Sequence, residues 1–334
     1  MNNTKQRRIN LYASRSIGET LSATFDFVTQ NFVPLIKFLS AFLLPVSALM
    51  GLSYQSMFSS FAHIENLNDE TEQILSVVTS YLPVLLLCLI GALLTVAVTY
   101  TLMQKYQQRD NLLKGITLNE IKPLLKHNLW RLLKMLLLLT LIGMVAFVAL
   151  VLVATMIMAI GGKFEAFLFL LYMAMLAIAL PLGLVLPMCV FEPELGLFSC
   201  VKKALRLGFK TWGTLFVVML VITMLVQIVS LILIIPFMFT TVASMFFEID
   251  SSQYASLAYT SSAWFSVLTF ASSLLFCFGL LLMSALSFVA FAFCYGRAAD
   301  KVEGVSVKNA VQNFDSTSST EDTTADIISQ FDKE

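Results

Sequence analysis

The sequence predicts an all-α polytopic membrane protein in which six transmembrane helices form three hairpins, each preceded by an amphipathic interfacial helix on the cytoplasmic face. Three observations carry this expectation. Of the 334 residues, 58% are hydrophobic and 13% charged, and the mean hydropathy of +0.84 lies far outside the range of soluble globular chains. The apolar residues fall in runs long enough to cross a hydrocarbon core of about 30 Å at about 1.5 Å per helical residue. One amphipathic spacing also recurs ahead of each pair of runs: Ile17, Leu21, Phe25, Val28 and Phe32; Ile121, Leu125, Leu129, Leu132 and Leu136; Leu197, Val201, Leu205, Gly208 and Trp212.

The first of these segments follows a polar stretch carrying Lys5, Arg7, Arg8 and Arg15, and Ser16 and Glu19 have capping-box spacing for a helix starting at Ile17. The first span, about residues 33–54, comes after a lead-in unlike the short n-region of a cleaved signal peptide, and is expected to stay in the mature protein. Lys37, just inside its start, can snorkel to the headgroups. A loop with Glu65, Asp69, Glu70 and Glu72 leads to the second span, about residues 74–103. The next loop is basic and holds the second amphipathic segment, with Thr117 and Glu120 again at capping-box spacing. Spans three and four, about residues 132–160 and 166–191, are joined by a tight turn at Gly161 and Gly162. The third amphipathic segment leads into span five, about residues 214–247, which is longer than the hydrocarbon requires, so Pro236 is expected to break or kink it. Span six covers about residues 263–295 and closes a membrane domain of residues 1–314. Residues 315–334 form an acidic tail too polar to bury a core, and disorder is expected there.

Six spans place both termini on one side. Of the 21 Lys and Arg residues, only Lys163 falls in a loop on the opposite side, so the positive-inside rule puts both termini in the cytoplasm. Cys88, Cys189, Cys200, Cys277 and Cys294 lie in or beside apolar runs with no CxxC, and read as packing residues.

The basic face of the third amphipathic segment, Lys202, Lys203, Arg206 and Lys210, supplies the first candidates for contact with anionic lipid headgroups. Lys122, Lys126, Arg131 and Lys134 of the second segment join them, each charge being worth on the order of 1 kcal/mol. Topology alone would also place charges there. Within the spans, no buried ionisable residue marks an ion path. Gln227 is the most polar side chain, and an interhelical hydrogen bond is its expected role. Ser266, Ser273, Cys277 and Ser284 share one face of span six, where small residues favour close helix packing over a lined pathway. Pro181 and Pro187, with Gly183 between them, could open span four and free carbonyls for a ligand, although Pro is also common in spanning helices.

Catalysis has little support. The only histidines are His63 and His127, and there is no HExxH, GxSxG or P-loop, so no catalytic, cofactor or metal residue is assigned. Glu192 and Glu194 flank Pro193 at a helix start and read as a cap rather than an acid–base pair.

The segments RSIGETLSATFDFVTQNFVPLIKFLSAFLLP, FEPELGLFSCVKKALRLGFKTWG and FCYGRAADKVEGVSVKNAVQNF, in this order, resemble the bacterial six-span proteins related to the membrane domain of glycerophosphoryl diester phosphodiesterases. The likeness covers about residues 15–314. It implies a stand-alone membrane module, because the catalytic barrel of the phosphodiesterases and its metal-site residues are missing here. The expected location is the bacterial inner membrane. The expected role is non-enzymatic, in membrane organisation or lipid interaction, with membrane lipids, anionic ones in particular, as partners and no nucleic acid. A transporter of a lipid or other apolar solute is the alternative, and a membrane enzyme acting on an apolar substrate the second. The sequence leaves a protein partner or homo-oligomer open.

Overall fold

The computed structural model describes residues 8–64, 69–109, 113, 115–159, 164–249, 263–308 and 311, and these contain helices and no strand. The helices are α1 (Ile17–Gln30), α2 (Phe32–Ile64), α3 (Glu70–Gln108), α4 (Leu118–Ala159), α5 (Phe164–Gly183), α6 (Val185–Phe191), α7 (Leu197–Lys210), α8 (Trp212–Ile249) and α9 (Ala263–Glu303). Six stretches are long and apolar enough to cross a membrane: Phe32–Met57, Thr71–Gln108, Leu118–Met156, Leu171–Phe191, Trp212–Ala243 and Ala263–Glu303. The chain is an all-α, multi-pass membrane protein. The glycine turn expected at Gly161 and Gly162, the loop at 250–262 and the acidic tail at 315–334 lie outside the described residues.

α9 is the central helix, packed against α1, α2, α3, α6, α7 and α8. Between α2, α3, α8 and α9 the core holds Leu39, Leu43, Tyr100, Phe237 and Phe293, and Phe237 stacks on Phe276 at 5.1 Å. Small polar side chains let these helices approach. Ser273 accepts from Gln55 Nε2 at 3.3 Å, and a Cβ at Gly51 would lie 2.9 Å from the Ser273 hydroxyl. Ser272 and Thr240 bond across α8 and α9 at 2.9 Å. The second half of α4 is different: residues 141–149 are exposed on every side and pack against no other described helix.

Two of the three amphipathic segments are separate helices that meet their spans at an elbow, and the third is not. α1 ends at Asn31, whose Nδ2 bonds back to the Phe27 carbonyl at 2.9 Å while its own carbonyl takes the Leu35 N–H at 2.9 Å. α7 ends in the same way at Thr211, whose Oγ1 bonds to the Leu207 carbonyl at 2.9 Å and whose carbonyl takes the Leu215 N–H at 3.0 Å. The matching position of the second segment is Met135, which has no such group, and α4 runs from Leu118 to Ala159 without a break. The expected division before span three is therefore corrected: the buried face of α4 continues across the join through Asn128, Leu132 and Met135 at helical spacing, so one helix serves both parts.

Two further expectations change. The buried face of α1 is Thr20, Ala23, Thr24 and Phe27, whereas Phe25 and Phe32 of the predicted stripe are exposed. Thr20 and Thr24 spend their hydroxyls on the carbonyls four residues back, so each packs through its methyl. Of the break or kink expected at Pro236, the break does not occur: α8 continues through it to Ile249, with the adjacent Phe237 held between Tyr54 and Phe276.

Candidate functional site: the basic end of the bundle

Span four does divide, at Leu184 between α5 and α6, but protein groups close the gap. Pro181 has no N–H, which frees the carbonyl of Ala177, and the indole Nε1 of Trp212 donates to that carbonyl at 3.0 Å. α7 comes close enough for this contact because Gly208 lies on Pro181, where a Cβ would fall 2.6 Å from the proline Cβ. The Phe291 ring sits against Gly183, Pro187 is buried, and the Val190 carbonyl takes Gln104 Nε2 at 2.8 Å.

Just beyond α6, four chain segments converge on Glu192. Lys203 Nζ lies 2.8 Å from both Glu192 carboxylate oxygens and 2.9 Å from Glu303 at the end of α9. Arg206 reaches the other Glu303 oxygen at 2.8 Å, and the Tyr295 hydroxyl donates to Glu192 at 2.6 Å. Burial by itself lowers the Lys203 pKa, but the hydrogen bonds and charges of the two carboxylates outweigh it and raise the pKa above the ordinary lysine value. The Tyr12 hydroxyl, 3.4 Å from that of Tyr295, is raised by burial. Arg131 of α4 donates to the carbonyls of Glu192 at 3.0 Å and Leu195 at 2.7 Å, and to that of Pro193, which closes the turn between α6 and α7. Glu192 is the C-cap residue of α6 rather than part of a helix start, and its carboxylate receives two side-chain donors, Lys203 and Tyr295.

The N-terminal segment is strapped to the same end. Leu11 is buried against Gly296, where a Cβ would run into the Leu11 carbonyl, and Arg297 Nε donates to the Arg15 carbonyl. Tyr106 and Gln107 of α3 bond the backbone of Ile9 at 3.1 and 2.9 Å. The N-terminal segment and the C-terminal end of α9 therefore share one end of the bundle.

These contacts sort the predicted headgroup ligands. Lys203 and Arg131 are directed into the protein, where carboxylates and turn carbonyls of the chain take their charge, and Arg206 is exposed but paired with Glu303. Lys202, Lys210, Lys122 and Lys126 are exposed and have no ion pair or hydrogen bond among the described residues, and Lys134 lies 5.5 Å from the Trp130 ring. Lys122, Lys126, Trp130 and Lys134 form one exposed stripe of α4 at intervals of four, leading to the exposed Leu137 and Leu141. On α7, Lys202 shares its face with Phe198 and Phe209, 70% and 53% exposed. At the elbow of α1 and α2 a cleft of about 410 Å³ is lined by residues including Thr29, Val33, Lys37 and Gly115, and Lys37 is unpaired among the described residues.

The intramembrane candidates separate as well. Ser273 is buried in the packing of α2 on α9, Ser284 bonds back to the Leu281 carbonyl at 2.7 Å, and Ser266 is exposed. Gln227 is exposed and has no hydrogen bond among the described residues, so the expected interhelical bond is not made to any of them.

The residues that sequence reasoning missed are Tyr12, Tyr295 and Glu303 as partners of Glu192 and Lys203, and Trp212 as the donor to span four. Their separations along the chain leave no local pattern, although a proline in a span does signal a carbonyl in need of a donor. Compared with family models, with curated proteins and with solved structures, the chain matches none.

Proposed function

We propose that the protein is a non-enzymatic module of the bacterial cytoplasmic membrane that binds anionic lipid headgroups at its basic end, with both termini in the cytoplasm. One observation carries this: the cations of the basic end divide into a set spent inside the protein and a set left unpaired beside exposed aromatics. Lys122, Lys126, Lys202 and Lys210 stand with Trp130, Phe198 and Phe209 in the arrangement of an interfacial surface, aromatic rings at headgroup level and amines reaching outward. The transporter reading is second, because the break in span four that would serve as its path is filled by Trp212 and Phe291.

The test changes Lys122, Lys126, Lys202 and Lys210 to Gln together. Wild type and variant are reconstituted in nanodiscs of mixed phosphatidylglycerol and phosphatidylcholine, and retained lipids are counted by native mass spectrometry. Each charge contributes on the order of 1 kcal/mol at most, reduced by salt, so the preference for the anionic lipid should fall by about tenfold or more. An unchanged lipid profile in a folded variant would leave these charges with a topological role only and overturn the proposal.

A further inference from the structure

Gln227 stands on the outer surface of α8 at a depth where no water can satisfy it. From Trp212, at the first position of the helix, to Gln227 the chain rises about 22 Å at about 1.5 Å per residue, which lies within a hydrocarbon core of about 30 Å. Its carboxamide carries two N–H donors and an acceptor oxygen, is exposed, and has no partner among the described residues. Lipid tails offer neither donor nor acceptor, so an unpaired carboxamide there is costly and calls for a partner from outside the chain.

We propose that this face of α8 is the interface between two copies of this chain, with the Gln227 side chain of each copy hydrogen-bonded to that of the other. Three observations select a second copy. First, copies inserted with one topology can be related by a twofold axis only along the membrane normal, so their α8 helices meet in parallel and residue 227 faces its own counterpart at the same depth. Second, a carboxamide is self-complementary: each Nε2–H donates to the partner's Oε1, and both groups are satisfied by one symmetric pair. Third, Leu220, Met224, Gln227 and Leu231 follow one another at intervals of four, three and four, and all are exposed. That is the seam of a parallel helix pair, and a single polar residue within such a seam fixes register. The proposal does not rest on the lipid-binding reading, since the charges invoked there lie on α4 and α7.

The experiment uses the full chain in its membrane. Met224→Cys and Gln227→Cys are oxidised with copper phenanthroline, with Val229→Cys as the control on another face of α8 and wild type as the control for the five native cysteines. Disulfide-linked dimers are expected from residues 224 and 227 and not from 229. Gln227→Leu, a change at an exposed position, should keep the wild-type melting temperature. It should weaken self-association by about tenfold, read by single-molecule photobleaching over graded protein-to-lipid ratios. A wild-type protein that stays monomeric at every density, cross-links from 229 as strong as those from 227, or cross-links only to a different protein would each overturn the proposal.

Discussion

Lys203 separates stability from lipid binding. Its amine bridges Glu192 at 2.8 Å and Glu303 at 2.9 Å, and the three side chains retain only 22%, 23% and 18% of their accessible surface. An exposed pair would contribute up to about 1 kcal/mol and removal of one partner from a fully buried pair would cost about 3–5 kcal/mol. With roughly a fifth of the surface still wet, Lys203→Met should cost about 2 kcal/mol, because it leaves two carboxylates near each other with one shared cation lost. In a chain of this size that is a fall of about 4 °C in melting temperature, measured by tryptophan fluorescence in one detergent. The retained anionic lipid should not change. Lys202→Gln, one residue away and unpaired, should behave in the opposite way. In a Glu192→Gln, Glu303→Gln background the cost of Lys203→Met should nearly vanish. The folded pKa of Lys203 is raised, so its contribution is fully present below the ordinary lysine value of 10.5 and is lost only as pH rises through the higher folded value. The gap between wild type and Lys203→Met should therefore be constant from neutral pH to about pH 9. A variant that melts like wild type while losing anionic lipid would refute the reasoning and return Lys203 to the headgroups.

Two further outcomes test the architecture. Trp212→Phe keeps an aromatic ring, though a smaller one, and removes the only donor shown for the Ala177 carbonyl; it should cost about 1–3 kcal/mol by denaturant titration, and a neutral result would mean that the carbonyl freed by Pro181 finds another partner. Under the orientation proposed, an impermeant thiol reagent added to intact cells should label Thr71→Cys and leave Ser199→Cys unlabelled, both positions being exposed; the reverse pattern would invert the topology.

How much of this was legible in the sequence differs between the levels of the structure. The capping box at Ser16 and Glu19 is present as spaced, with Ser16 N 2.7 Å from the Glu19 carboxylate, because a cap is a contact over three residues and needs nothing else. The elbows at Asn31 and Thr211 were not legible in this way, since the side-chain bonds made there to the carbonyl four residues back are made equally by Thr20 and Thr24 inside the unbroken α1. The buried face of α1 was misread because threonine scores as polar, although its hydroxyl can be satisfied by its own helix. The fate of the cations was of another kind. Lys202 and Lys203 are neighbours with the same chemistry, and one has no partner among the described residues while the other is held between carboxylates 11 residues back at Glu192 and on the far side of the sequence at Glu303. By itself the sequence determined the helices, the six membrane-spanning stretches and the gathering of positive charge into the loops at one end, because hydropathy over 20 residues and charge per loop are additive along the chain. Only the tertiary structure decided which charges are spent inside, which carbonyl Trp212 completes and that Gln227 has no partner among the described residues, because each of these depends on which residues distant in sequence meet.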